Sequence, residues 1–193
     1  MTKKVKNNLI LVAILAILII ALVVWQNPFA PKYNQVETEN LITNNLDNLQ
    51  IIEINKTNQT ISLKKENDTW IVTSQENVLA NEDLIADLID TLNELNSGTI
   101  VSRNLDKLDD FSLSQEKAVN LKLVDTQGGT IIEILVGKLG GPAYTQTYVK
   151  NINSNNILLV DANLINKVNQ QDWKQPPPPP EDEEGGSDTI PIE

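Results

Sequence analysis

The pattern of hydrophobic and polar positions changes character along the chain. Residues 9–25 are apolar without interruption. A helix of that length rises about 26 Å at ~1.5 Å per residue, near the short end of what crosses a bilayer. Leu9, Ile14, Leu18, Leu22 and Trp25 mark the expected membrane anchor, with Trp25 where an interfacial aromatic belongs. Lys3, Lys4 and Lys6 flank the other end. The positive-inside rule then puts residues 1–8 in the cytoplasm and everything after Trp25 outside the cell membrane. A cleaved signal peptide is the competing reading. The run is longer than a usual signal core, and the nearby small residue Ala30 is followed by Pro31, which disfavours cleavage. Pro28 and Pro31 end the helix and begin a juxtamembrane linker over 26–45.

From Leu46 the period becomes two. Ile52 and Ile54, Ile61 and Leu63, and Trp70 and Val72 alternate with polar neighbours and are separated by polar turns. This predicts an antiparallel meander with one face buried. The period then becomes helical. Leu84, Ile85, Leu88, Ile89, Leu92 and Leu95 form one stripe. Asn81 precedes it as N-cap, and Glu82 and Asp83 suit the positive end of the helix dipole. Asn96-Ser97-Gly98 should end it, and Ile100-Val101 reads as a short strand.

The second half repeats the plan. Val119, Leu121 and Leu123 alternate, Gln127-Gly128-Gly129 turns the chain, and Ile132, Ile134 and Val136 follow. Strands over 144–150 and 157–160 and a short helix over 162–168, capped by Asp161, complete it. The expected fold is therefore α+β: antiparallel sheet strands with two covering helices over 46–174, preceded by one transmembrane helix. The shared order suggests internal duplication of a strands-then-helix unit. Residues 175–193 differ in kind. The proline run 176–180, with Pro176, Pro178 and Pro180 as candidate interaction residues, leads into an acidic stretch at 181–184. A disordered, extended spacer is expected there. A docking motif for a proline-recognising groove is the alternative.

Charge and composition narrow the function. Net charge is −11, and since three lysines precede the apolar run, the part after it carries −14. Nucleic-acid binding, which needs a basic face, is not expected. The chain has no Cys and no His. Disulfides, thiolate nucleophiles, Cys-ligated zinc and Ser-His-Asp triads are excluded. Carboxylates, Lys, Ser, Thr and Tyr remain for chemistry. Asp106, Asp109 and Asp110 cluster ahead of Phe111, and a pair of carboxylates can serve glycoside cleavage. Their spacing fits no calcium loop, and with Lys107 interleaved a solvated loop is the favoured reading. Residues 137–142, rich in glycine, miss the Walker spacing and read as a flexible hairpin loop. No catalytic residue, metal ligand or cofactor site is assigned.

Dispersed positions carry a family resemblance. Leu63 precedes a turn into Trp70-Ile71-Val72. Ala80-Asn81 opens a helix bearing Ile85, Leu88, Leu92 and Leu95. Phe111-Ser112-Leu113, Val136-Gly137-Lys138, Tyr148-Val149 and Leu159-Val160-Asp161 follow in order. From about Asn48 to Trp173 the chain resembles the bacterial domain of unknown function 4340 family. Trp70, Ala80, Asn81, Phe111, Leu113, Gly137 and Tyr148 are its structural positions here. Ser112 departs from the glycine the family favours, which questions a tight turn at that point. The resemblance implies a membrane-anchored protein outside the cytoplasm, in some cases beside transporters of the ATP-binding-cassette type, and carries over no catalytic residue. The expected role is a non-enzymatic interaction or scaffold domain, an accessory of a transport or envelope complex, whose partner is another membrane or envelope protein. The alternatives are a carboxylate-based enzyme or binding domain acting on envelope polymers, and a self-associating surface subunit.

Overall fold

The computed structural model describes residues 12, 14–19, 21, 36–42 and 46–177. The chain divides into two compact units, Met1–Gln35 and Val36–Glu193. In the first, residues 12, 14–19 and 21 are helical, with Ile14 and Leu18 exposed. Among the described residues no helix is long and apolar enough to cross a membrane. Leu9, Leu22 and Trp25 of the expected anchor lie outside the described residues, as do Pro178 and Pro180 of the tail.

The second unit is built on one antiparallel sheet. Its strands are β1 (Thr38–Asn40), β2 (Leu49–Lys56), β3 (Gln59–Glu66), β4 (Thr69–Val72), β5 (Val78–Leu79), β6 (Ser97–Ser102), β7 (Val119–Asp125), β8 (Thr130–Gly140), β9 (Gln146–Asn151) and β10 (Ile157–Val160). Helix α1 (Glu82–Glu94) follows β5, and α2 (Leu164–Val168) follows β10. A 3-10 helix spans Leu105–Phe111. The strand order is β1-β6-β10-β9-β8-β7-β2-β3-β4-β5.

That order is two meanders joined back to back. β2 to β5 run outward to one side, β7 to β10 to the other, and β2 pairs with β7 at the centre. Each meander ends in a helix. After α1 the chain crosses to the far side, where β6 pairs with β10. After α2 it crosses the opposite way, where Lys174 bridges Ala80. There Asn81 N–H donates to Trp173 O (2.7 Å) and Gln175 N–H to Leu79 O (2.9 Å). Each half thus contributes its last extended segment to the other half.

Alternation decides which face is buried, because successive strand side chains point to opposite faces. Ile54 stands between Ile61 and Leu121, and Leu121 faces Ile134. The adjacent row runs Val72, Leu63, Ile52, Leu123 and Ile132. A further row runs Ile100, Leu158, Val149, Val136 and Val119. These residues share one core with Ile85, Leu88 and Leu92 of α1 and Leu164 and Val168 of α2. The helices meet each other, and Lys167 Nζ donates to Asp87 Oδ1 at 2.6 Å between them. Trp173, buried to 1% exposure, closes the core from the second crossover.

Several local expectations are corrected. Thr38–Asn40, read as linker, is a strand on the edge of the sheet. It has no apolar alternation to announce it. Gly98, expected to stop α1, lies in β6 instead. A side chain there would meet Leu158 Cβ at 2.9 Å, so the residue is small to let two strands pack. Helix α2 is shorter than expected and is capped by Asn163, which accepts from Asn166 N–H, rather than by Asp161. The cap at Asn81 stands, accepting from Asp83 and Leu84 N–H.

One buried hydroxyl positions α2. Thr147 is fully buried. Its Oγ1 donates to Ala162 O at 2.7 Å and accepts from Leu164 N–H at 2.9 Å. Thr147→Val keeps the shape and leaves both backbone groups unsatisfied. It should lower stability by about 1–3 kcal/mol, measured as a lower urea midpoint with an unchanged slope. An unchanged midpoint would show that Thr147 does not hold the helix.

Candidate functional site

The outer face of the sheet is only partly covered. The 3-10 helix and the segment 112–118 lie against it on the β8 and β9 side. Asn104 caps the 3-10 helix by accepting from Asp106 N–H at 2.9 Å. At its end Ser112 takes a left-handed conformation (φ 57, ψ 36) and donates its N–H to Asp109 O and Leu108 O. The tight turn that a glycine would have eased is therefore present with serine. Just beyond, Leu113 is fully buried.

This clasp gathers four of the family positions. Phe111 stacks edge-on against Tyr148 with ring centroids 4.8 Å apart. A Cβ on Gly137 would sit 2.3 Å from Phe111 O and 3.0 Å from Leu113. Gly137 thus lies within β8, where the ladder shifts register between Val136 and Leu139, and not in a flexible loop. Its missing side chain is what lets the clasp seat. Trp70, Ala80 and Asn81 gather elsewhere, around the second crossover, where Ala80 and Trp70 are buried in the main core. All seven positions are explained by packing and capping.

The carboxylates singled out from the sequence belong to the 3-10 helix. Asp109 accepts from Lys117 Nζ at 2.7 Å and Ser114 Oγ at 2.8 Å. The Lys117 bond first, and then the Ser114 bond, hold its carboxyl below the usual carboxylate range. A depressed acid contributes its tie fully above the ordinary range and loses it as pH falls through the lowered value. An acid catalyst needs the opposite shift. Among the described residues no group of acidic side chains is placed to hold a metal ion.

A groove of about 600 Å³ opens beside this clasp, lined by Asn55, Lys56, Gln115, Ala118, Asn120 and Leu135 among others. Its walls are the end of the β2–β3 hairpin and the segment 114–118, tied together by Thr57 Oγ1 donating to Glu116 O at 2.6 Å. Asn55 and Asn120 are direct cross-strand partners, and Leu135 is the next residue across. Lys56 Nζ donates to Gln170 O at 3.0 Å, and burial lowers its ammonium pKa. Asn120 Nδ2 donates to Glu133 Oε1 at 3.0 Å. A carboxylate only accepts, so the amide orientation is fixed. Asn120 Oδ1 is then buried with no partner. Buried polar atoms are rarely left so.

The sequence assigned a binding role to none of these groove residues. The signal available was the polar phase of the strand alternation at Asn55 and Asn120, which marks the outer face but not a site. Pro176, exposed at the exit of the chain, lines a separate and smaller depression of about 410 Å³ with Asn81 and Leu79.

A family model for a domain of unknown function (DUF4340) matches residues 70–176. The matched span runs from β4 through the clasp to the second crossover and leaves out β2 and β3. No curated protein matches the chain, and no solved structure does.

Two substitutions test the clasp in opposite directions. Gly137→Ala drives a Cβ into a backbone carbonyl and should cost about 1–3 kcal/mol. Ser112→Gly removes the left-handed strain of a residue with a side chain. After the entropy cost of glycine it should gain about 0.5–1 kcal/mol. Both are measured by urea unfolding; equal midpoints for the two variants would contradict the described packing.

Proposed function

The chain belongs to the DUF4340 family, and from that premise we propose that it is a single-pass membrane protein whose folded unit is an interaction domain outside the cytoplasm. The anchor rests on the apolar run 9–25 and its lysine flank. The domain is a non-enzymatic accessory or scaffold, and its partner is another membrane or envelope protein, a transporter assembly being the leading case.

The observation that carries this reading is where the chain enters and leaves the sheet. β1, the first strand after the linker, is one edge. The segment that leads into the proline run closes the other edge, beside β5. The two points lie at opposite ends of the strand order. The domain takes its attachment beside one edge strand and releases its proline-rich segment at the other, and an amide-lined groove opens on the strands between. The alternative of a carboxylate enzyme acting on envelope polymers is less well supported, since Asp109 is tied to Lys117 and Ser114 on the 3-10 helix. We also infer that the two meanders, each ending in a helix and exchanging last segments, derive from duplication of one strands-then-helix unit.

Purification of the full-length chain from its native membrane in mild detergent, with mass spectrometry, is the test. The expected outcome is a chain at its uncleaved mass with membrane-protein partners that are lost when residues 36–177 are deleted. Recovery of the chain alone would contradict a stable complex, and a mass lacking the first thirty or so residues would contradict the anchor.

A further inference from the structure

The apolar residues left at the surface of the folded unit are not scattered. Among its described residues, the large apolar side chains that stay exposed are Val36, Leu79, Val101, Leu105, Tyr144 and Ile152. Taken singly, an exposed apolar residue is ordinary. Four of these six, Val36, Val101, Leu105 and Ile152, belong to one corner.

Strand register places them there. Ile100 N–H donates to Glu37 O at 2.8 Å, which carries the β1–β6 ladder past Thr38 and sets Val36 opposite Val101. Both follow the phase of Thr38 and Thr99, on the face turned away from Ile100 and the core. Ser102, next in β6, pairs with Ile157 at the start of β10. The turn that joins β9 to β10 therefore lies at this same end, and Ile152 begins it. Ile152 N–H donates to Glu133 O at 3.1 Å. The preceding pair, Asn151 with Ile134, has the core phase, so Ile152 falls on the outer face with Val36 and Val101. Leu105 opens the 3-10 helix three residues after Ser102. Tyr144 sits in the turn at the opposite end of β9, and Leu79 on the far side of the sheet.

This corner is also where the chain enters the sheet. Ten residues separate Trp25 from Val36, and such a segment reaches at most about 40 Å when fully extended. The charges that adjoin the four residues balance. Glu37 pairs with Arg103, Asp106 is followed by Lys107, and Glu133 faces Lys122. The acid excess of the chain, which would oppose approach to an anionic surface, is therefore not concentrated here.

Resting on the membrane-anchor reading, we propose that this corner is a lipid-contact surface, with Val36, Val101, Leu105 and Ile152 resting in the interfacial layer of the bilayer from which the chain emerges. Four side chains bury little area, so the contact orients the domain and adds to the covalent tether rather than replacing it.

The chain has no Cys, so single cysteines can carry a nitroxide without background. The full-length chain, one copy per nanodisc of phosphatidylcholine and phosphatidylglycerol, is labelled in turn at Val101→Cys, Leu105→Cys, Ile152→Cys, Tyr144→Cys and Ala16→Cys. Paramagnetic resonance then measures collisions with oxygen, which concentrates in lipid, and with a water-soluble nickel chelate. The three corner labels should lose nickel collisions and gain oxygen collisions relative to the Tyr144→Cys label. Val36→Asp combined with Ile152→Asp, both at exposed positions, should return the Leu105→Cys label to the nickel access of Tyr144→Cys. Corner labels as open to nickel as Tyr144→Cys overturn the proposal. So does shielding from both probes, which cover by protein would give, and so does shielding that survives the two aspartates. The Ala16→Cys label separates the two readings. If it lies in lipid while the corner lies in water, the anchor stands and the contact fails; if it lies in water, the anchor fails and the contact with it.

Discussion

The pairing of β2 with β7 is the constraint on which the rest of the structure depends. Each of the two meanders could form locally, since its strands follow one another through short turns. Alone, each would present an open edge, the row of unpaired backbone groups that invites aggregation. β2 and β7 remove both edges at once by pairing over residues 49–55 and 120–125. On the inner face this pairing sets Ile52 against Leu123 and Ile54 against Leu121, all fully buried. The two rows then extend outward in both directions, and the helices have one continuous apolar floor to cover. The remaining edges are managed by exchange: β6 leaves its own half to pair with β10, and the segment around Lys174 leaves its own half to reach Ala80. Trp173, carried on that second crossover, completes the core.

The inner face was legible in the sequence because it follows a period of two. Ile52, Ile54, Ile61, Leu63, Trp70 and Val72 all fall where alternation places them, and the same holds for Val119 through Val136. Helix α1 was legible through its stripe and its Asn81 cap. What alternation does not encode was missed. β1 is Thr-Glu-Asn, three polar residues held by backbone pairing with Ser97, Gly98 and Thr99. Gly137 looked like loop glycine, because its reason for being small is a contact with Phe111 and Leu113, more than twenty residues earlier in the chain. The groove was hidden for the same reason. Asn120 and Glu133 become neighbours only through the β7–β8 register, and the burial of one amide oxygen is a property of the assembled surface.

The outer face carries charged side chains paired in register across the strands. Glu53 and Lys122 stand opposite each other across β2 and β7, and Lys122 faces Glu133 on β8. Such partly exposed pairs add little stability but keep the face solvated and in register. The clasp formed by Phe111, Leu113, Gly137 and Tyr148 covers one part of that face, and the segment that follows it supplies Gln115, Glu116 and Ala118 to one wall of the groove.

Residue-level hydrogen exchange on the folded unit tests the central role of the β2–β7 pairing most directly. If that pairing holds the two halves together, the amides of β2 and β7 belong to the most protected class and open with the same free energy, in one global unfolding event. Two separate classes, with β2 to β4 opening at a lower free energy than β7 to β10, would contradict it and show that the halves are stable apart from their shared seam.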